Sequence, residues 1–170
     1  MIKTNPIHPS GLFTLENKRY LVTDICYVVP NTLWSGVCDE MFKEGPNTFD
    51  EDDMAIISVN TVEFMVFKTT YGDGRYEAWT PGGSGPFSVD SGTFCVVDYD
   101  DAVKLAGEEV IESLVKLRNG CEVDLTDYEG DFNFEMTKLG VIEGVITVNT
   151  SDDDHFEEDD MWDDEEDEEN

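Results

Sequence analysis

An apolar run, Phe87-Ser88-Val89, passes into Asp90-Ser91-Gly92-Thr93. These are the residue types of an aspartic hydrolase centre, where two aspartates share one proton and activate a water. The tetrapeptide occurs once, so the chemistry would require a second copy of the chain, and a chain of net charge −30 dimerises against its own repulsion. A long helix is expected soon after it, where such an enzyme has a hairpin flap. The plainer expectation is a strand with a Ser-Gly bulge or turn.

Nucleophilic cysteine chemistry needs a base. The histidines are His8, near the N-terminus, and His155, near the other end. Neither has a visible relation to Cys26, Cys38, Cys95 or Cys121, which contain no C-x-x-C pair and are expected to be reduced, buried thiols. Glycines 72, 74, 82, 83 and 85 precede strand-like segments and no Lys-Ser/Thr follows, so no phosphate loop is expected. Oxygen ligands for a hard cation occur at Asp50-Glu51-Asp52-Asp53, at Asp98-Tyr99-Asp100-Asp101 and at Asp127-Tyr128-Glu129-Gly130-Asp131. None has the alternate acids, central Gly and closing Glu of an EF-hand in order. No catalytic residue, metal site or cofactor is assigned.

The charge is the stronger signal. Ten Lys and Arg stand against forty Asp and Glu. From Ser151 to Asn170 there are fourteen acids and no Lys or Arg, which leaves residues 1–150 with twenty-six acids, ten bases and a charge of −16. Direct binding to nucleic acid or to an anionic membrane is opposed by repulsion. The N-terminus has no apolar stretch of signal-peptide length and no run of about eighteen apolar residues occurs, so a cytoplasmic, non-membrane protein is expected.

Two units follow: an acidic domain over 1–150 and a polyanionic tail over 151–170. In the tail, Asp152, Asp153, Asp154, Glu157, Glu158, Asp159, Asp160, Asp163 and Asp164 surround Phe156, Met161 and Trp162. So few apolar groups cannot offset a backbone ordering cost of about 1–2 kcal/mol per residue, and the isolated tail is expected to be disordered. Extended at about 3.4 Å per residue, it would carry one charge per about 5 Å, approaching the spacing of a nucleic-acid single strand. These tail residues, with Asp50, Glu51, Asp52 and Asp53, are the candidate contacts to a basic protein surface, the aromatic and Met side chains acting as anchors. A solubilising tail is the bland alternative.

The body has strand character at Arg19–Val29, Met54–Asn60, Val62–Thr70, Arg75–Trp79, Phe87–Val97, Asp131–Thr137 and Leu139–Val148. Tyr71-Gly72-Asp73-Gly74 reads as a hairpin turn and Pro81–Pro86 as a flexible loop. In Val62–Thr70 apolar residues occupy both parities, so both faces are expected to be covered. One helix is expected from Asn31 or Thr32 to Phe42, with Trp34, Cys38 and Phe42 on one face. A second spans Asp101 to Arg118, capped by Asp100 or Asp101, with an apolar stripe Val103, Ala106, Val110, Leu114 and Leu117 and an end at Asn119-Gly120. The fold class is α+β: one domain, mostly antiparallel sheet, two helices.

The segments Val22-Thr23-Asp24-Ile25-Cys26-Tyr27-Val28, Tyr71-Gly72-Asp73-Gly74-Arg75-Tyr76 and Val89-Asp90-Ser91-Gly92-Thr93 resemble a group of small phage-encoded and bacterial proteins of unknown function. That group carries an Asp-Pro-Cys-Tyr segment, a Gly-Asp-Gly hairpin and a later Asp-Ser-Gly. Here Ile25 replaces the group's Pro. The resemblance implies a phage-like origin and a compact β-rich fold, makes the Asp-Ser-Gly a fold feature, and implies no activity. The function expected is non-enzymatic: an acidic inhibitor or modulator that imitates nucleic acid in the basic groove of a host nucleic-acid-binding protein or defence enzyme. A structural or assembly protein with a solubilising tail, and a hydrolase using Asp90, are the alternatives.

Overall fold

Val62, Phe64 and Val66 point one way along their strand and Met65 and Phe67 the other, and both sets are packed under other elements. A strand covered on both faces needs a layer on each side of its sheet. The computed structural model supplies them, describing residues 2–6, 12–41, 54–70, 72–138 and 140–150. In chain order the elements are β1 (Ile2–Pro6), β2 (Leu12–Thr14), β3 (Arg19–Thr23), a 3₁₀ turn (Ile25–Tyr27), α1 (Asn31–Met41), β4 (Met54–Val59), β5 (Val62–Lys68), β6 (Gly74–Thr80), β7 (Gly83–Val89), β8 (Thr93–Asp98), α2 (Tyr99–Ala106), α3 (Glu108–Lys116), β9 (Gly120–Asp124), β10 (Asn133–Lys138), β11 (Val141–Gly144) and β12 (Thr147–Asn149).

The strands make two six-stranded sheets, β1-β4-β5-β8-β3-β9 and β2-β10-β11-β12-β6-β7, with every pairing antiparallel. One core lies between the sheets: Tyr20, Val22, Phe67, Phe94 and Val96 of the first meet Tyr76, Phe87, Phe134, Met136, Ile142 and Val148 of the second. Phe67 stacks on Phe94 at 5.1 Å and meets the edge of Phe134 at 6.2 Å. The other core lies between the first sheet and the helices, where Leu21, Phe64, Val66, Cys95 and Val97 meet Val37, Ala102, Ile111 and Leu114. The layers are therefore helices, sheet, sheet. The α+β class and the antiparallel sheet match expectation, as does the double coverage of β5.

Four local expectations are corrected. The run from Arg19 does not continue as strand to Val29: β3 ends at Thr23, and Asp24 accepts from the Cys26 N–H and caps a 3₁₀ turn. Gly72–Gly74 does not close a hairpin, because β5 and β6 belong to different sheets and the segment carries the chain from one to the other. Gly83–Pro86 lies within β7, paired with β6 across Pro81-Gly82, and is not a loop. Leu139–Val148 is not one strand: β11 and β12 form an antiparallel pair. At the end of β11 Gly144, at φ 145°, lies where a Cβ would come within 2.2 Å of the Asn133 carbonyl oxygen.

The second expected helix is two. Asp98, earlier than the expected caps, accepts from the Asp101 N–H at the start of α2, and Gly107 at φ 100° separates α2 from α3. The break changes which residues face the sheet. Leu114 of the expected stripe is buried, together with Ala102 and Ile111, whereas Val110 and Leu117 of that stripe are 44% and 64% exposed. In α1, Val37 is buried, Trp34 and Cys38 are half-buried, and Phe42 lies outside the described residues. Arg118 at φ 65° turns the chain out of α3, the Asn119 N–H returning to the Leu114 carbonyl.

Candidate functional site

The expected contact residues Asp50, Glu51, Asp52, Asp53, Asp152, Asp153, Asp154, Phe156, Glu157, Glu158, Asp159, Asp160, Met161, Trp162, Asp163 and Asp164 all lie outside the described residues, as does the 151–170 segment itself. Three features of the described body remain.

The first is a buried node. Asp24 ends β3 with no exposed surface. Its Oδ2 accepts from the N–H groups of Asp90 and Ser91, both at 2.6 Å, and its Oδ1 from the Cys26 N–H at 2.8 Å and the Ser91 hydroxyl at 2.6 Å. Ser91 also bonds Thr93 Oγ1 at 2.8 Å, and the Tyr27 hydroxyl donates to the Asp90 carboxylate. The Asp24–Tyr27 segment and the Asp-Ser-Gly-Thr segment thus meet in space. Thr69 extends the contact, its hydroxyl donating to the Gly72 carbonyl at 2.8 Å and its N–H to the Gly92 carbonyl at 3.0 Å. Three of the donors to Asp24, the Asp90 and Ser91 N–H groups and the Ser91 hydroxyl, tie the end of β3 to the corner where β7 leaves the second sheet and β8 enters the first, while the Cys26 N–H caps the local turn. Asp90 is exposed and bonded to a phenol, and Asp24 has both oxygens engaged, so neither is presented as half of a proton-sharing carboxylate pair.

The thiols follow the same logic of burial. Burial and then the neighbouring Asp24 push the Cys26 thiol above its ordinary range, and burial does the same for Cys38 and, more strongly, Cys95. Cys121, buried beside Glu122, is pushed up to about 11. All four cysteines are free. A thiol raised in this way is a poor nucleophile at neutral pH.

The second feature is an acidic surface on the helical layer. Along α2 and α3 the exposed or half-exposed acids are Asp100, Asp101, Glu108, Glu109 and Glu112, and the neighbouring edge strand β9 adds Glu122 and Asp124. Three of the bases nearby are engaged, while Lys116, one turn on from Glu112 in α3, is exposed. Arg19 holds Asp100 at 3.1 Å and Glu122 at 3.4 Å with its guanidinium 4.2 Å above the Tyr99 ring, Lys18 holds Asp98 at 3.0 Å, and Lys104 reaches Asp101 at 3.9 Å. Among the described residues, no Lys or Arg is bonded to Glu108, Glu109 or Glu112. The Glu108 side chain, hydrogen-bonded to Glu112 one turn on, raises the proton affinity of Glu112, with Glu109 adding to it. Asp98 shows the opposite balance. Burial would raise its pKa, but the Lys18 bond and the Asp101 and Asp100 N–H groups together hold it low. The expected oxygen cluster at Asp98–Asp101 is therefore divided among Lys18, Arg19 and Lys104. No group of three or more His, Cys, Asp or Glu positioned to hold a metal occurs among the described residues.

The third feature is an open groove of about 450 Å³ on the second sheet, lined by residues including Trp79, Pro81, Tyr128, Asp131, Asn133 and Thr147. The strand assignment of Arg75–Trp79 located Trp79 without suggesting a site. The signal available was parity: Tyr76 and Ala78 are apolar and inward, so Trp79 must face water.

No family model, no curated protein and no solved structure matches the chain. Among the described residues, no helix is long and apolar enough to cross a membrane.

Proposed function

We propose that this chain is a non-enzymatic acidic interaction protein that occupies a basic, nucleic-acid-binding surface of another protein in place of nucleic acid. The observation that supports the reading is the acidic helical surface: Glu108, Glu109 and Glu112 lie exposed together on α3, and among the described residues no Lys or Arg is bonded to them. Lys18, Arg19 and Lys104 are paired with Asp98, Asp100, Asp101 and Glu122 instead. Like charges one helical turn apart cost stability, and a binding surface for cations gives that cost a use. The segment 151–170 adds fourteen more acids to the chain, with Phe156, Met161 and Trp162 as anchors. The charge pattern and the resemblance together support a phage-encoded inhibitor or modulator acting in the host cytoplasm.

Affinity capture with the full chain from a bacterial lysate, followed by salt and competition series, tests this. At low salt the recovered proteins are expected to be nucleic-acid-binding. Their affinity should fall steeply with salt concentration, and duplex DNA should displace the chain. Recovery of no such protein at low salt, or binding indifferent to DNA and salt, sinks the proposal.

A further inference from the structure

Trp79 lies on the outer face of the second sheet, opposite Thr147 of β12 and Ser84 of β7 in register, with 56% of its surface exposed. It lines the groove together with Tyr128 and Asp131. Tyr128 is held from several sides. Its N–H donates to the Leu125 carbonyl at 3.3 Å, its carbonyl accepts from Asn17 Nδ2 at 3.1 Å, and its ring meets Phe132 edge-on at 5.1 Å. A Cβ at Gly130 would come within 2.4 Å of its hydroxyl, so the loop closes tightly over that ring. Asn133 is likewise fixed, its Oδ1 accepting from Thr14 Oγ1 at 2.7 Å. Asp131 is exposed and bonded to no Lys or Arg among the described residues.

We infer that this groove seats an arginine side chain of a basic partner, the guanidinium lying against Trp79 and Tyr128 and pairing with Asp131. The inference rests on the basic-partner reading and gives that reading a specific contact on the body. The chemistry selects the occupant. Among the described residues no Lys or Arg lines the groove, and the chain carries −30, so an anion is repelled. A tryptophan face is the best aromatic platform for a cation. A planar guanidinium stacks on it and pairs with a carboxylate at its edge, which a lysine ammonium cannot do as well. An open groove of about 450 Å³ has room for an arginine side chain.

The test uses the full chain, ¹⁵N-labelled, titrated with an arginine-rich peptide and with versions in which every arginine is lysine or the neutral isostere citrulline. The Trp79 indole N–H resonance is expected to move with the arginine peptide, less with lysine and little with citrulline. Trp79→Leu, which keeps apolar area but removes the ring, should weaken arginine-peptide binding about tenfold, and Asp131→Asn several-fold. If the peptide binds with Trp79 unmoved and with wild-type affinity in both variants, the groove assignment is overturned while the basic-partner reading stands. If neither the arginine nor the lysine peptide binds at low salt, both fall. A neutral oligosaccharide that moves Trp79 when the arginine peptide does not would overturn the assignment in favour of a sugar site.

Discussion

At the residue scale, Asp24 is where the fold is most sensitive. A buried carboxylate without a Lys or Arg partner would be costly, but four donors converge on it, and hydrogen bonds to a charged acceptor are the strong ones. Both oxygens act as acceptors, a role a carboxamide cannot fill. In either orientation of an asparagine there, an NH₂ group faces a backbone N–H. Asp24→Asn is therefore expected to cost about 2–4 kcal/mol, the price of buried donors left unsatisfied. Ser91→Ala, which removes one of the four donors, should cost about 1 kcal/mol. Urea unfolding measures both; an Asp24→Asn midpoint equal to wild type would show that the node does not hold the corner. The sequence offered Asp24 and Ser91 as parts of two quotable segments. That they bond each other across 67 positions was not legible, because no local pattern encodes a long-range pairing.

At the scale of elements, α2 and α3 show how a local signal was present and misjudged. The acids come twice, at Asp100 and Asp101 and again at Glu108 and Glu109, and the bases come twice, at Lys104 and Lys116. Each set matches one helix dipole, and Gly107 stands between them. Read as a single helix, the stripe runs through Val110, Leu114 and Leu117; in the structure Leu114 is inward as read, but Ile111 is buried in place of Val110, and Leu117 is exposed. On α3 the acids also oppose stability. Because Glu108 raises the proton affinity of Glu112 in the folded helix, this carboxylate stabilises the fold only where it is protonated. That contribution is present below its unfolded pKa and is lost as pH rises through the folded value. Glu112→Lys converts the clash into a Glu-to-Lys pair in the favourable order. It should raise the melting temperature at pH 7 and, if the acidic surface is the contact, weaken binding to a basic partner. A variant that melts lower than wild type would contradict this account of the pair.

For the whole molecule, the charge sets two opposed salt responses. Self-repulsion within a body of −16 is screened as ionic strength rises, with a Debye length falling to about 8 Å near 0.15 M. Thermal stability should rise from 10 to 150 mM NaCl while affinity for a basic partner falls, measurable on one sample by calorimetry and by binding titration. A melting temperature that is flat or falls over this range would remove self-repulsion as a feature of the fold.

What the sequence by itself determined is what depends on composition and short-range pattern: the acidity, the antiparallel α+β class, the two-faced burial of β5 and the alternation of Phe134 and Met136 in β10. Parity and charge are local properties and survive without knowledge of neighbours. Only the tertiary structure decided that Gly72–Gly74 carries the chain between sheets, that Asp90-Ser91-Gly92 is a corner fastened to Asp24, and that Trp79 shares a groove with Tyr128 and Asp131. Glycine-rich turns and Asp-Ser-Gly corners are equally compatible with a hairpin and with a crossover. The choice between them is made by which sheet buries the following apolar residues.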